Sequence, residues 1–294
     1  MKSPSASARH KRAGAFGGEK PIGTIEQPKS LPIAEISQEA DNIKTFFFDI
    51  EVDAKPGQFM ILWIPRMNEK PYSIAYNENG RLGMSIAVVG EFTKKLFTLK
   101  KGDFVGLRGP YGTFFKTEDN YKKVLMVGGG YGTAPLAILA KQAIDKRMTV
   151  DFCRGAYNKS RLIFTERLEK IGVNSLTATD DGSLGTKGSV VDIVEEQINK
   201  KDYDCVYICG PELMEKKIVD LCQAKNIPSQ VSIERWMKCG FGICGQCCLD
   251  GSGARMCIEG PVVSGKYALA QEEFGNYHRL KSGKVEKFYD NHAK

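Results

Sequence analysis

Four cysteines stand within ten residues at 239–248, in the run CGFGICGQCC, and a fifth, Cys257, follows. Cys239, Cys244 and Cys247 are spaced C-x4-C-x2-C, the plant-type 2Fe–2S pattern, which needs a fourth thiolate downstream. Cys257 supplies it, ten residues after Cys247. Gly240, Gly242 and Gly245 let the loop curl tightly and aim N–H groups at sulfur. A zinc ribbon usually carries two C-x-x-C pairs, and Cys257 has no such partner. On spacing alone, zinc and unmetallated thiols stay open beside the iron–sulfur reading. Cys248, adjacent to Cys247, must point elsewhere and is a spare.

A second chemical stretch is VGGGYGTAP at 127–135. It follows an apolar strand and opens a helix, with Pro135 in the first turn. Gly128, Gly129, Gly130 and Gly132 allow close backbone approach, and the N–H groups around Thr133 are free for a phosphate. It matches neither G-x-G-x-x-G nor a P-loop, so it reads as a nucleotide turn of another kind, with a plain strand–helix connection as the alternative. TDDGSLGTKG, with Asp180 and Asp181, and CGPELM, with Cys209, Gly210, Pro211 and Glu212, end two further strands of the same segment. All three ends are expected along one sheet edge, where such sheets take their ligand. Arg154 ends another strand, where it either meets a nucleotide 2′-phosphate or lies on the surface; NAD against NADP stays open.

A third stretch is KPYSIA at 70–75, with Lys70, Pro71, Tyr72 and Ser73 at a strand start. A cation, an aromatic ring and a hydroxyl suit a flavin, though PYS is also ordinary strand-edge chemistry. GEFT, with Phe92 and Thr93, opens a helix whose N-terminus offers a second phosphate site; Thr93 is equally a common cap.

Two domains and a small module must hold these groups. Residues 25–119 read as short strands broken by KPGQ, NENG, KKGD and GPYG, an antiparallel barrel with one helix whose face carries Phe92, Leu96 and Leu99. Residues 120–233 alternate strand and helix, which means βαβ units and a parallel sheet. Residues 234–294 hold the cysteine loop and a polar, weakly patterned end. The fold class is therefore a β barrel plus α/β, with a C-terminal cluster module.

Composition narrows the function. Residues 1–24 form a basic start, and +4 of the net charge of +7 lies in the first 20 residues. That start is expected to be disordered, with a targeting peptide or a nucleic-acid arm as alternatives. The remaining body is close to neutral and shows no nucleic-acid footprint. No run approaches the roughly 20 apolar residues of a membrane span. Nine cysteines, an odd and clustered set without a secretory signal, argue against a disulfide framework and for a reducing, cytoplasmic setting. Cys153, Cys205, Cys209 and Cys222 stand alone, and most read as buried small hydrophobes. The three histidines lie near the chain ends, so a histidine triad or zinc hydrolase is not expected, and no acid–base dyad is apparent.

Barrel, βαβ domain and cysteine module follow one another in the order of the ferredoxin–NADP reductase superfamily. Within it the chain resembles the electron-transfer subunits of class 1B dihydroorotate dehydrogenase, over about residues 25–265. ERWMKCGFGICGQCCLDGSGARMCIEGPVV carries the most specific part of the likeness, with VGGGYGTAPL, TDDGSLGTKG and CGPELM beside it. The resemblance implies FAD held by an Arg-Pro-x-Ser stretch, a short strand and a Gly-Thr turn. These fall on Lys70, Pro71, Tyr72 and Ser73, on Ser85, Ile86 and Ala87, and on Phe92 and Thr93. Lys70 replaces the arginine and loses a bidentate phosphate contact; Phe92 replaces the turn glycine. It further implies cluster ligation by Cys239, Cys244, Cys247 and Cys257, and an electron path from dihydroorotate, oxidised in an FMN-containing catalytic subunit, through the cluster and FAD to NAD. The setting implied is de novo pyrimidine (UMP) biosynthesis, in a heterotetramer of two catalytic and two electron-transfer subunits. The alternative is the equivalent subunit of a sulfide dehydrogenase, a hydrogenase or an NADPH–ferredoxin reductase. A zinc-ribbon protein whose basic tail meets nucleic acid is a rival of another class.

Overall fold

The computed structural model describes residues 25–288, so the basic start read at 1–24 lies outside the described residues. The first half is built from strands β1 (Ile25–Pro32), β2 (Glu35–Ala40), β3 (Ile43–Phe48), β4 (Phe59–Ile64), β5 (Asn68–Ser73), β6 (Tyr76–Glu78), β7 (Arg81–Ala87) and β8 (Phe104–Tyr111). Helix α1 (Glu91–Phe97) sits between β7 and β8. The strands form two four-stranded antiparallel sheets, ordered β1-β8-β4-β5 and β2-β3-β7-β6. Their inward side chains, among them Phe46, Phe48, Met60, Leu62, Met84 and Leu107, share one core. Strand alternation puts every second residue on that inner face. Helix α1 lays Phe92 and Leu96 onto the same core.

From residue 123 the chain alternates β9 (Lys123–Gly129), α2 (Thr133–Asp145), β10 (Thr149–Ala156), α3 (Thr165–Ile171), β11 (Asn174–Thr179), β12 (Thr186–Lys187), α4 (Val190–Lys200), β13 (Cys205–Cys209), α5 (Glu212–Ala224) and β14 (Ser229–Ser232). The sheet runs β12-β11-β10-β9-β13-β14 in parallel. β9 and β13 are apolar on both faces because helices cover both: α2 and α3 share one core, α4 and α5 the other.

The cysteine loop leaves the end of β14 and returns as β15 (Val262–Ser264), which pairs antiparallel with β14 as the seventh strand. Helix α6 (Gly265–Leu269) follows, then a hairpin of β16 (Tyr277–Arg279) and β17 (Val285–Lys287). The segment that follows β15, which the sequence pattern did not place, thus docks on the nucleotide half. Ala268 and Phe274 are buried in its core. The two halves are joined by Arg167 of α3, which donates to the Ala75 carbonyl at 2.7 Å and lies 3.7 Å over the Tyr76 ring. No helix of the described residues is long and apolar enough to cross a membrane.

Candidate functional site

A cleft of about 210 Å³ opens between the barrel and the parallel sheet. Pro71, Tyr72 and Ser73 of β5 and Ser85, Ile86 and Ala87 of β7 line its barrel wall. Tyr72 is half-buried and stacks on Phe92, ring centroids 6.3 Å apart and planes 28° apart, and burial pushes its hydroxyl well up. Phe92 therefore backs the wall without lining it. Thr93 does not face the cleft either. Its hydroxyl oxygen accepts from the Val89 and Gly90 N–H groups at 2.9 and 3.0 Å, and its own hydrogen goes to the Gly90 carbonyl. Thr93 caps its own helix, the plainer of the two roles its position allowed. Lys70 also lies off the cleft, its ammonium 5.2 Å over the Trp236 ring. Burial, with the charges of Lys281 and Lys238, holds that ammonium below its ordinary range.

The opposite wall is where two of the three expected strand ends meet. Gly132, and Cys209 with Gly210, line it. A Cβ on Gly132 would lie 2.3 Å from the Cys209 carbonyl oxygen, and one on Gly129 would lie 2.6 Å from Pro211. The glycines are thus required by the packing of the two turns against each other. Gly128 is filled from behind by Thr133, with 2.6 Å to its hydroxyl, while Gly130 has φ +53° and open space. Asp180 and Asp181 do not line the cleft. Their strand, β11, is two places from β9 in the sheet, and Asp181 caps its own turn through the Ser183 N–H at 2.9 Å.

Glu212 does not line the cleft. Its carboxylate pairs with Arg235, which also pairs with Glu273, and all three are buried. Glu212 also accepts from the Gly275 N–H at 2.9 Å. The residue is a structural rivet between α5, the end of β14 and the C-terminal segment. Arg154 is likewise held inside: it is buried and donates to Thr165, Thr177 and the Ile163 carbonyl. It is neither the surface arginine nor the free 2′-phosphate partner weighed from sequence.

Sequence reasoning missed the third side of the cleft. Tyr131, Ser232, Ile233, Glu234 and Met237 line it. Tyr131 donates to the Glu234 carboxylate at 3.3 Å, and that charge, then burial, raises the tyrosine hydroxyl. Burial likewise raises the Glu234 carboxyl and the Cys209 thiol. In the sequence ERWM stands only as the start of the cysteine stretch. A carboxylate at the end of a strand of the parallel sheet was the one signal that could have marked Glu234.

The thiols of the cysteine loop influence one another in two pairs, Cys239 with Cys244 and Cys247 with Cys257. Burial pushes the Cys239 thiol up, but N–H groups of Cys244, Phe241 and Ile243 bring it down to about 7. The neighbouring Cys257 thiol holds Cys247 down at about 6, while Cys257 itself is raised. Among the described residues no three His, Cys, Asp or Glu side chains gather at one point. Zinc needs four donors about one ion. A 2Fe–2S cluster has two irons and takes two thiolates on each, so a donor set of two pairs fits it better. Cys248 is half-buried, bridges to Arg255 through the backbone and joins neither pair. Cys153, Cys205 and Cys222 are buried, and Cys209 lines the cleft.

An antiparallel barrel and a parallel nucleotide sheet with a cleft between them define a ferredoxin–NADP reductase-type oxidoreductase. Solved structures agree. The ferredoxin–NADP+ reductase of Plasmodium falciparum shares the fold, at TM-score 0.60 and 18% identity, over 68% of this chain and 92% of its own. An NADH-dependent reduced ferredoxin–NADP oxidoreductase aligns at TM-score 0.74 and 28% identity, over 85% of this chain and 90% of its own. Family models match an oxidoreductase FAD-binding domain at 30–115, an oxidoreductase NAD-binding domain at 126–220 and the iron–sulfur cluster binding domain of dihydroorotate dehydrogenase B at 234–267. A Methanocaldococcus jannaschii protein, "Probable dihydroorotate dehydrogenase B (NAD(+)), electron transfer subunit", is 43% identical over 88% of this chain and 98% of its own. Its namesake from Methanothermobacter thermautotrophicus is 42% identical over 90% and 98%. The chain belongs to the family of dihydroorotate dehydrogenase B electron-transfer subunits.

Proposed function

We propose that this chain relays electrons between a dihydroorotate-oxidising catalytic subunit and NAD. One observation carries the reading: a single molecule sets a cleft walled by β5, β7 and the glycine turn beside a loop of paired thiols. FAD would lie against Tyr72, Ser73 and Ser85 to Ala87, NAD against Gly132, Cys209 and Gly210, and a 2Fe–2S cluster on Cys239, Cys244, Cys247 and Cys257. When bound, the flavin exchanges a hydride with the nicotinamide and single electrons with the cluster, which is why one chain carries both. The protein's own part is to place them: the two halves clamp the cleft through Arg167.

The partner is read as an FMN-containing catalytic subunit, two of each in a cytoplasmic heterotetramer. Its docking face on this chain would be the rim of the cysteine loop. Ile243 is 76% exposed beside the exposed Cys244, with Phe241 and Ile258 also open. Neighbouring exposed apolar residues of this kind mark a contact surface.

The test is NAD reduction on addition of dihydroorotate to the complex that co-purifies with this chain, handled without oxygen. Reduction lost in Cys244→Ser supports the relay. A complex that shows flavin and cluster absorbance but reduces no NAD overturns it. The likeness to the NADH-dependent reduced ferredoxin–NADP oxidoreductase favours the second reading, a flavin and iron–sulfur reductase for another donor. Under it, reduced ferredoxin replaces dihydroorotate in the same assay.

A further inference from the structure

Strand β8 of the barrel holds both flanks of the cysteine loop. Downstream, Thr113 just past β8 donates its N–H to the Gly260 carbonyl and its hydroxyl to the Val262 carbonyl, each at 2.6 Å. Upstream the contact is made by one buried cation. Arg108 is 4% exposed, and its guanidinium donates to the carbonyl oxygens of Cys239 and Lys238. Its other edge forms a two-bond fork with the Glu69 carboxylate of β5. Tyr111 and Phe241 each lie with their ring centroid 5.5 Å from it. There is no slack beside it: a Cβ on Gly240 would lie 2.6 Å from Ile61.

We propose that Arg108 is a positioning residue that locks the first cysteine of the loop to the flavin-side barrel, and that the Arg108–Glu69 pair sets the reduction potential of the cluster. The inference rests on the assignment of the four thiols as cluster ligands. A cation is retained at this spot although a carboxylate already neutralises it, and its remaining donors go to the peptide of a ligand. Net charge and hydrogen bonding around the sulfurs are the levers by which a protein tunes such a cluster. A buried positive charge favours the more negative, reduced state, and the low dielectric there strengthens the effect. Glu69 is partly open, 32% exposed, so the pair is lopsided, with the cation inward and the anion outward.

The two halves of the pair therefore predict opposite shifts. In anaerobic redox titrations of the cluster-loaded chain, followed by its paramagnetic resonance signal, Arg108→Met lowers the midpoint. Glu69→Gln, which leaves the cation unbalanced, raises it. Each shift is about tenfold in the reduced-to-oxidised ratio, or about 59 mV for a one-electron couple. Arg108→Lys, which keeps the charge and loses the fork, stays near the parent. A merely structural role would move Met and Gln variants the same way, and that outcome overturns the proposal. So does an unshifted midpoint in both. If Arg108→Met does not fold, Glu69→Gln and Arg108→Lys still decide. A parent chain that takes up no 2Fe–2S signal would instead overturn the ligand assignment.

Discussion

Glu212 follows Gly-Pro at a strand end, a place for a ligand contact, but Arg235 claims its carboxylate. Removing Arg235 leaves two buried carboxylates without a countercharge, so Arg235→Met should cost about 3–5 kcal/mol, seen as a lower urea midpoint. Glu215 is the reverse case: fully buried, with one oxygen accepting from the Gly210 N–H and the other unpartnered. Burial raises its carboxyl well above 4.5. An acid raised in the folded state binds its proton more tightly there than in the unfolded chain. Stability is therefore highest below about 4.5 on this account, and falls as pH rises toward the folded value. Glu215→Gln should flatten that decline in melting curves taken from acid to neutral pH, and a parallel decline in both proteins would count against it. Lys70 stands off the cleft with its ammonium over Trp236, so Lys70→Arg should leave FAD affinity near the parent, measured by flavin fluorescence on dilution.

At the scale of elements, the interior was legible and the periphery was not. β3, β4, β7 and β8 announce themselves by apolar runs, and β9 to β14 by their alternation with helices, because these segments are buried on one or both faces. β1 and β2 are sheet edges whose residues IEQPKSLP and EISQEA are largely open to solvent, so no hydrophobic pattern marks them. β15 and α6 are too short to carry a period and are recruited by β14 across the cysteine loop. That the glycine, TDDG and CGPE turns all end strands of one parallel sheet was readable from the alternation of strand and helix. Which of them stand side by side was not, since it depends on where each strand is inserted. The contact between the two turns leaves no room for a methyl group. Gly132→Ala should lower the melting temperature and weaken NAD and FAD together, both read on the same preparation by thermal shift and equilibrium binding.

For the whole molecule, the decisive relation is between the cysteine loop and what surrounds it. Its exposed side carries Ile243, and its inner side carries Cys247 and Cys257, 2% and 1% exposed, in one core with Leu125 and Val127 of the nucleotide sheet. The two sides predict separable phenotypes. Ile243→Asp should weaken association with the catalytic partner at least tenfold in gel filtration or interferometry, yet leave NADH-driven reduction of an artificial acceptor near the parent rate. Loss of both together would mean that the loop, not only its rim, had been disturbed. The spacing of the thiols could be read in advance. Their attachment to the barrel through Arg108 could not, because it joins residues 130 positions apart.

β14 and β15 are neighbours in the sheet, paired from Ser232 opposite Val262. Everything between them, the cysteine loop included, begins and ends at the same place. In evolutionary terms the loop is a graft on a hairpin. A reductase that closed those strands with a short turn would keep its sheet order and the barrel and glycine-turn walls of its cleft. A lineage could therefore gain or discard the cluster in one insertion or deletion, without redrawing the fold that handles flavin and nucleotide.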